Sequence, residues 1–465
     1  MTVMDVNTVL QTVTQLVADK KYSQLKLELS QLEAVDIADC LFALWDDEEI
    51  GDDTLALIFR VLPKEAAAQV FSELDGELQQ VLVQAFSDSE LRELMDEMFV
   101  DDTVDLIDEM PANAVKRLLE AVDADTRKTI NQILNYPEDS AGSIMTTEYV
   151  SLRPDMTVAQ SFERIRKTGV DKETVYTCYV LGDGRQLVGI VTVKDLLLAG
   201  YEQTVGEIME HNVIAANTLT DREDVAHTLS RYSFLALPIV DGENRMVGIV
   251  TVDDAMDVLQ EEATEDIEKM TAITPSERSY TRTGVLELVK NRIPWLMLLM
   301  LSATFTGMII TSFESALAAQ AALTAFIPML MSTAGNSGSQ SSVTVLRSMS
   351  LGELEFSDIF KVLYKELRVA VLCAVALACV NFAKMYLVDF LLLGNSGLTV
   401  PVMAVVCLTL GATVVFAKLV GCTLPMLAKK IGLDPAVMAS PFITTIVDTV
   451  TLLVYFRFAS AILNI

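Results

Sequence analysis

The sequence predicts a multidomain membrane protein: an all-α helical-repeat N-domain, a duplicated α/β module, an acidic connecting helix and a transmembrane domain of five helices. Three observations carry this prediction. Charge is unevenly divided along the 465 residues: the first 290 hold 56 acidic and 24 basic residues, whereas residues 291–465 hold 8 and 10. Long apolar stretches are confined to the second part, and two kinds of internal repetition to the first. So acidic a half lacks the basic face that phosphate backbones require, which argues against nucleic acid as a partner. It attracts cations instead, divalent ones most strongly.

The N-domain, residues 1–138, is read from a unit of about twelve residues that recurs from about residue 60. Its copies are "LPKEAAAQVFSEL", "DGELQQVLVQAF", "SDSELRELMDEM", "VDDTVDLIDEM", "PANAVKRLLEAV" and "DADTRKTINQIL". Most open near Pro, Asp or Ser, which favour helix starts, and continue with apolar residues at helical spacing. One such helix cannot bury its own apolar face, so the units are expected to stack into a right-angled or superhelical array. An ordinary helical bundle satisfies the same pattern. The opening "MTVMDVNTVLQTVTQ" has neither the basic region nor the apolar run of a signal peptide, so the N-terminus is expected in the cytoplasm. The six cysteines form no C-x-x-C pair and suggest neither disulfides nor a zinc site.

Residues 139–260 contain the α/β duplication. "IMTTEYVSLRPDMTVAQSFERI" parallels "IMEHNVIAANTLTDREDVAHTL", and "LVGIVTVKDLL" parallels "MVGIVTVDDAM". Each copy alternates β-rich runs such as "VYTCYVL", "LPIVD" and "GIVTV" with helical ones. The pair resembles tandem CBS domains, the regulatory module named after cystathionine β-synthase. In that family a Thr and an Asp closing "GIVT-x-x-D" contact an adenosine ribose. Thr192 with Asp195, and Thr251 with Asp254, hold those positions here, which implies a site for ATP or another adenine nucleotide at the first pair.

"DDAMDVLQEEATEDIEKM" follows without a helix breaker, within a connecting segment spanning 255–290. Asp254, Asp257 and Glu261 fall at i, i+3 and i+7 on one helical face, and Glu262, Glu265 and Asp266 lie on an adjacent one. Like charges so spaced repel. Packing them against the acids of "VDDTVD", where Asp101 and Asp105 stand at i and i+4, costs more unless cations intervene.

The transmembrane domain, residues 291–465, shows five apolar stretches at roughly 293–312, 316–333, 367–391, 398–422 and 437–463. Each is long enough to cross about 30 Å of hydrocarbon as a helix. Lys290 and Arg292 precede the first, Arg347, Lys361, Lys365 and Arg368 lie between the second and third, and Lys429 and Lys430 between the fourth and fifth. The positive-inside rule then predicts a multi-pass protein of the cell (inner) membrane with a cytoplasmic N-terminus and an outside C-terminus.

Asp448 sits near the middle of the last stretch, where a carboxylate costs roughly 2.5–3.5 kcal/mol. A lone intramembrane acid faces a water-filled path or a partner charge. Neither histidine lies in a span, so water and a cation are the simplest companions for it. A protonated Asp bonded to a neighbouring helix is the alternative. Thr444 falls one turn earlier on the same face, Thr445 beside it, and Pro441 loosens the turn before them. A second polar patch, "STAGNSGSQSS" at 332–342, is expected at the cytoplasmic end of the second span, with Asn336 and Gln340 placed to line a pore mouth.

Taken in order, these parts resemble the MgtE family of magnesium channels over nearly the whole chain. The most specific segments are "VTVDDAMDVLQEEATEDIEKM", "AGNSGSQ" and "DPAVMASPFITTIVDTVTLLVYF". The resemblance implies a homodimer in the lipid bilayer with a pore along the subunit interface. It implies that Asp448 holds a hydrated Mg²⁺, with Thr444, Thr445 and Asn336 on the path. It also maps Asp101, Asp105, Asp221, Glu223, Asp254, Asp257, Glu262, Glu265 and Asp266 onto positions that bind regulatory Mg²⁺; Ser233 stands where a further acid occurs. Mg²⁺ gives up water reluctantly, so one carboxylate per subunit touching its hydration shell suffices. The expected function is therefore a Mg²⁺ channel gated by cytoplasmic Mg²⁺, not an enzyme. No P-loop or hydrolase motif is present to drive pumping. The alternatives are a secondary transporter that uses Asp448 as a coupled proton or ion site, and a nucleotide-sensing receptor whose spans only dimerise.

Overall fold

The computed structural model describes residues 6–46, 50–276, 280, 283–394, 397–438 and 440–464. It divides into two compact units, Met1–Leu259 and Gln260–Ile465.

The first unit opens with short helices: α1 Val6–Ala18, α2 Tyr22–Leu29, α3 Ala34–Asp46, α4 Asp52–Phe59, α5 Lys64–Ser72, α6 Gly76–Ala85, α7 Asp88–Met95, α8 Val100–Glu109, α9 Ala112–Ala121 and α10 Ala124–Ile133. The residues that open the repeats do cap these helices. Asp75, Ser87 and Asp123 accept hydrogen bonds from first-turn amides, while Pro63 and Pro111 take the capping place without needing a donor. Packing skips one helix each time: α3 meets α5, α5 meets α7 and α7 meets α9, while α4 meets α6, α6 meets α8 and α8 meets α10. This two-layer stack is a repeat array, not an up-and-down bundle. Phe59, Phe71 and Leu82 are among its buried residues.

Each α/β copy then folds the same way. The first comprises β1 Tyr149–Leu152, α11 Val158–Thr168, β2 Thr174–Leu181, β3 Leu187–Thr192, α12 Val193–Leu198 and α13 Val205–Ile208. The second comprises β4 Ala216–Asn217, α14 Arg222–Tyr232, β5 Ala236–Val240 and β6 Met246–Thr251. In both, the first strand pairs parallel to the second and the second antiparallel to the third. A cluster of Tyr149, Tyr179, Leu187, Met246 and Ile249 joins the copies. Another runs unbroken from the helical array through Ala141 and Met145 to Val225, Leu229 and Val250. A third cluster around Val150, Val158 and Val180 fills the first copy, and these adjoining cores lie within one compact unit.

Helix α15, Val252–Met270, follows β6 directly, and the unit boundary falls inside it. The second unit holds α16 Val285–Ser312, α17 Glu314–Ala319, α18 Ile327–Ser350, α19 Ile359–Lys384 continued by a π-helical segment Met385–Leu392, α20 Val400–Lys430 and α21 Ser440–Leu463. By length and apolar composition α16, α19, α20 and α21 can cross a membrane. Helix α20 is central, with half of its apolar window buried inside the chain and none of that in α16. The stretch expected to cross at 316–333 does not do so as one helix. Short α17 and a 3₁₀ turn over Ala321–Phe326 occupy its start, and the long helix α18 begins only at Ile327. Pro328 explains the shift, because proline is tolerated in a helix's first turn and not in its interior.

Candidate functional site

The patch 332–342 lies within α18, not at its end. Its small residues are used for packing, since α18 is clamped between α20 and α21. A side chain at Gly338 would fall 2.7 Å from Ile443 and 3.1 Å from the Ala417 carbonyl, and one at Gly421 would strike the Gly338 backbone. Such contact brings helix backbones together without a hydrophobic driving force.

Asp448 stands on α21, half-buried, and its Oδ1 is buried with no hydrogen-bond partner from the chain. Val447 and Ile443 beside it are fully buried against Ala334 and Ala417. Thr444 packs on Gly335, one turn before Asp448. Thr445 turns elsewhere: its hydroxyl donates to the Pro441 carbonyl at 3.1 Å and lies 3.4 Å from Ser302 Oγ on α16. Pro441 is the second residue of α21, so it opens the helix and does not loosen a turn within the span, contrary to the expectation from sequence. Asn336 is exposed and lines a different place, an open cleft of about 810 Å³ with Gln340, Ser341, Glu366 and Lys418. Lys418 escaped the sequence reading. It is a lone cation inside an apolar stretch, the same signal that drew attention to Asp448.

A second assembly of charges lies in the first unit. Asp101 and Asp102 on α8, Asp253 and Asp254 at the start of α15, and Glu148 and Glu173 of the first α/β copy crowd one another. Asp101 is 9% exposed, and its Oδ1, like Glu173 Oε2, has no hydrogen-bond partner from the chain. Burial, then the charge of Asp254, pushes the Asp101 carboxyl well above its ordinary range. The same two causes raise Asp102 to about 7. Burial followed by Asp253 raises Glu173 to about 7. Asp254 rises to about 6 through burial, although Thr251 donates a hydrogen bond to it. Asp105 keeps an exposed edge, yet burial of its carboxyl and then the charge of Asp254 push it the same way, to about 7, and Asp257 rises through burial and Asp253. Hard oxygen donors with buried, unpaired atoms fit a divalent cation. Among the described residues, no three of His, Cys, Asp or Glu form a compact metal-ligand group. Asp102 and Glu173 were not foreseen; only adjacency to Asp101 pointed to the former, and the fold alone brings in the latter.

The remaining acids lie apart. Asp221 caps α14, accepting from the Glu223 amide at 2.8 Å, and Glu223 lies 3.4 Å from His227. Ser233 ends α14 in the left-handed conformation, φ 55°. Glu262, Glu265 and Asp266 fall in the second unit on α15. There Lys269 pairs with Glu265 and, at 2.7 Å, with Asp434, while the Ser350 hydroxyl donates to Asp266 at 3.1 Å. Glu265 and Asp266 thus already have protein partners, as do Asp221 and Glu223. Thr192 and Asp195 form a capping box at the start of α12, each side chain bonded to the other's backbone amide at 3.1 Å. In this chain the "GIVT-x-x-D" signature makes a helix start.

Comparison with known proteins matches this organisation part by part. Residues 327–458 match the MgtE divalent cation transporter family, residues 32–139 the MgtE intracellular N domain, and residues 141–202 and 205–261 the CBS domain. The magnesium transporter MgtE of Thermus thermophilus is 37% identical over 91% of this chain and 92% of its own length. That of Bacillus subtilis is 33% identical over 90% and 93%. The crystal structure of the cytosolic domain of the Mg²⁺ channel MgtE in complex with ATP is 35% identical, covers 54% of this chain and 99% of its own, and superposes with a TM-score of 0.50. The soluble part of a magnesium transporter, 24% identical over 56% of this chain and 100% of its own, shares the fold at a TM-score of 0.51. With its three family signatures in register and two relatives alike over nine-tenths of its length, the chain belongs to the MgtE family of magnesium transporters.

Proposed function

We propose that this protein is a Mg²⁺ channel that admits the ion down its gradient and is closed by Mg²⁺ bound to its cytoplasmic acids. The observation that carries the conducting part is Asp448: a carboxylate on an apolar helix, with one oxygen buried and unbonded by the chain. Keeping a charge there costs several kcal/mol, which function must justify. In a homodimer two such carboxylates would face one path, and Thr444 lies one turn away on the same face. Asn336 would line the route toward the cytoplasm. We count α18 with the four helices apolar enough to cross, α16, α19, α20 and α21, which makes five crossings, with the N-terminus in the cytoplasm and the C-terminus outside.

Gating rests on the other acids. Asp101, Asp105, Asp254 and Asp257 repel one another, so Mg²⁺ stabilises the arrangement that holds them close. Asp221, Glu223, Glu262, Glu265 and Asp266 would supply further contacts. Helix α15 starts in the soluble unit and ends in the membrane unit, which gives the acids a mechanical link to the path. Thr192 and Asp195 would hold the ribose of ATP or a related nucleotide, as the ATP-bound relative suggests. The test is Mg²⁺ entry into liposomes carrying the purified protein, with and without a proton gradient. Entry independent of that gradient is expected. Entry that requires it supports a coupled transporter instead.

A further inference from the structure

Lys418 is the second unexplained charge of the membrane unit. It is 6% exposed on α20, the most enclosed of the long helices. Its ammonium donates to Ser341 Oγ at 3.2 Å, and that hydroxyl donates to Glu366 Oε2 on α19 at 2.7 Å. Ser341 thus stands between a cation and an anion, and among the described ion pairs the two are not directly joined. All three line the open cleft that also holds Asn336, Gln340 and Thr344.

A salt bridge needed only for folding gains most from direct contact, because the desolvation cost of two charges is offset by their closeness. Here the contact is relayed through a hydroxyl and left beside open space. The cleft's volume, about 810 Å³, exceeds the about 180 Å³ of six waters at about 30 Å³ each around an octahedral Mg²⁺. Amide and hydroxyl oxygens with one carboxylate are the groups that touch a hydrated divalent ion.

We propose that this cleft is a second station for the divalent cation, with Glu366 as its acceptor and Lys418 as a tethered cation that holds the station when no ion is there. The inference rests on the reading that the membrane unit conducts Mg²⁺. Ion and ammonium repel, so arrival of the ion at Glu366 loosens the ammonium's hold on Ser341, and return of the ammonium favours departure of the ion. The exchange keeps the carboxylate from trapping the ion.

The test is Mg²⁺ entry into liposomes measured across Mg²⁺ concentration, with the full-length dimer confirmed for each variant. Glu366→Gln leaves Lys418 uncompensated and is expected to lower maximal entry several-fold. Lys418→Met in the same chain should restore much of it. Lys418→Met alone should lower both the half-saturating Mg²⁺ and the maximal rate, because the ion then lingers on Glu366. A purely structural pair would change assembly without moving the half-saturating concentration. Should Lys418→Met fail to fold, Lys418→Gln serves in its place. Unchanged half-saturation in the lysine variant, or no rescue in the double variant, overturns the station. Asp448→Ala run alongside separates the two ideas: if it too conducts normally, the conducting path itself is wrong.

Discussion

The two units handle charge in opposite ways. In the first, carboxylates from α8, α15 and the first α/β copy are gathered against one another, and Asp101 is held buried among them. In the second, two charges inside apolar helices lack a direct ionic partner: Asp448 has no hydrogen-bond partner from the chain for Oδ1, and Lys418 reaches Glu366 only through Ser341. Near water, an excess of like charge can be left to whichever cation arrives, so concentration sets its state. Inside an apolar bundle each charge costs roughly 2.5–3.5 kcal/mol even on lenient scales. Such a charge persists only where it has a task. On the proposed function, the contrast is that between a sensor, which needs many weak acids, and a path, which needs few.

The contrast breaks most visibly at Asp448. Asp448→Ala is expected to abolish Mg²⁺ entry while the protein still assembles, since it removes a costly membrane charge; liposome flux and size-exclusion chromatography check the two halves. Near-normal entry would remove Asp448 from the path. A packing variant comes next in size. Gly421→Ala places a methyl against the Gly338 backbone, and overpacking of that kind costs about 1–3 kcal/mol. Its thermal unfolding in detergent should shift clearly downward, whereas Gly307→Ala, on a face of α16 with open space, should not.

On the sensor side, Asp101→Ala with Asp254→Ala should remove Mg²⁺-dependent protection of the soluble half against protease and leave entry high at raised internal Mg²⁺. Protection unchanged from wild type would show that these acids are bystanders. A subtler effect follows from acidity. Asp102 and Glu173, raised to about 7, hold protons in the folded state at pH values where the unfolded chain has released them. The folded state therefore loses stability as pH rises from the ordinary carboxylate range to about 7, and the penalty is complete above it. Protons and Mg²⁺ relieve the same repulsion, so less Mg²⁺ should be needed for protease protection at pH 6 than at pH 8. The smallest effect belongs to Lys269→Ala, which loosens the end of α15 from Asp434 by about the 0.2–1 kcal/mol of a partly exposed pair. Faster hydrogen exchange at residues 265–270 would register it.

Much of this was legible in the sequence because local rules and tertiary demands agree. Pro63, Asp75, Ser87, Pro111 and Asp123 mark helix starts that the fold keeps, and the duplicated "GIVTV" strands occupy equivalent places in two equivalent sheets. Asp448 stood out because polarity in an apolar run is conspicuous one residue at a time. Reading failed where meaning depends on a neighbour. The start of α18 moved to Ile327 because Pro328 and the need to seat Gly335 and Gly338 against α20 and α21 outweigh hydropathy. Glu173 joins the acidic face only because β2 brings it beside α15, and Lys269 meets Asp434 across a separation in sequence that no periodicity spans.

The central claim is that one chain both conducts Mg²⁺ and senses it, and entry measured against internal Mg²⁺ tests this most directly. Liposomes preloaded with graded Mg²⁺, with the proton gradient collapsed and the same inward Mg²⁺ gradient imposed, isolate the effect of the ion on the soluble half. The account predicts that entry falls steeply as internal Mg²⁺ rises in the wild type, stays high in the Asp101→Ala, Asp254→Ala protein, and is absent at every concentration in Asp448→Ala. Entry that ignores internal Mg²⁺ in the wild type, while still depending on Asp448, would contradict it.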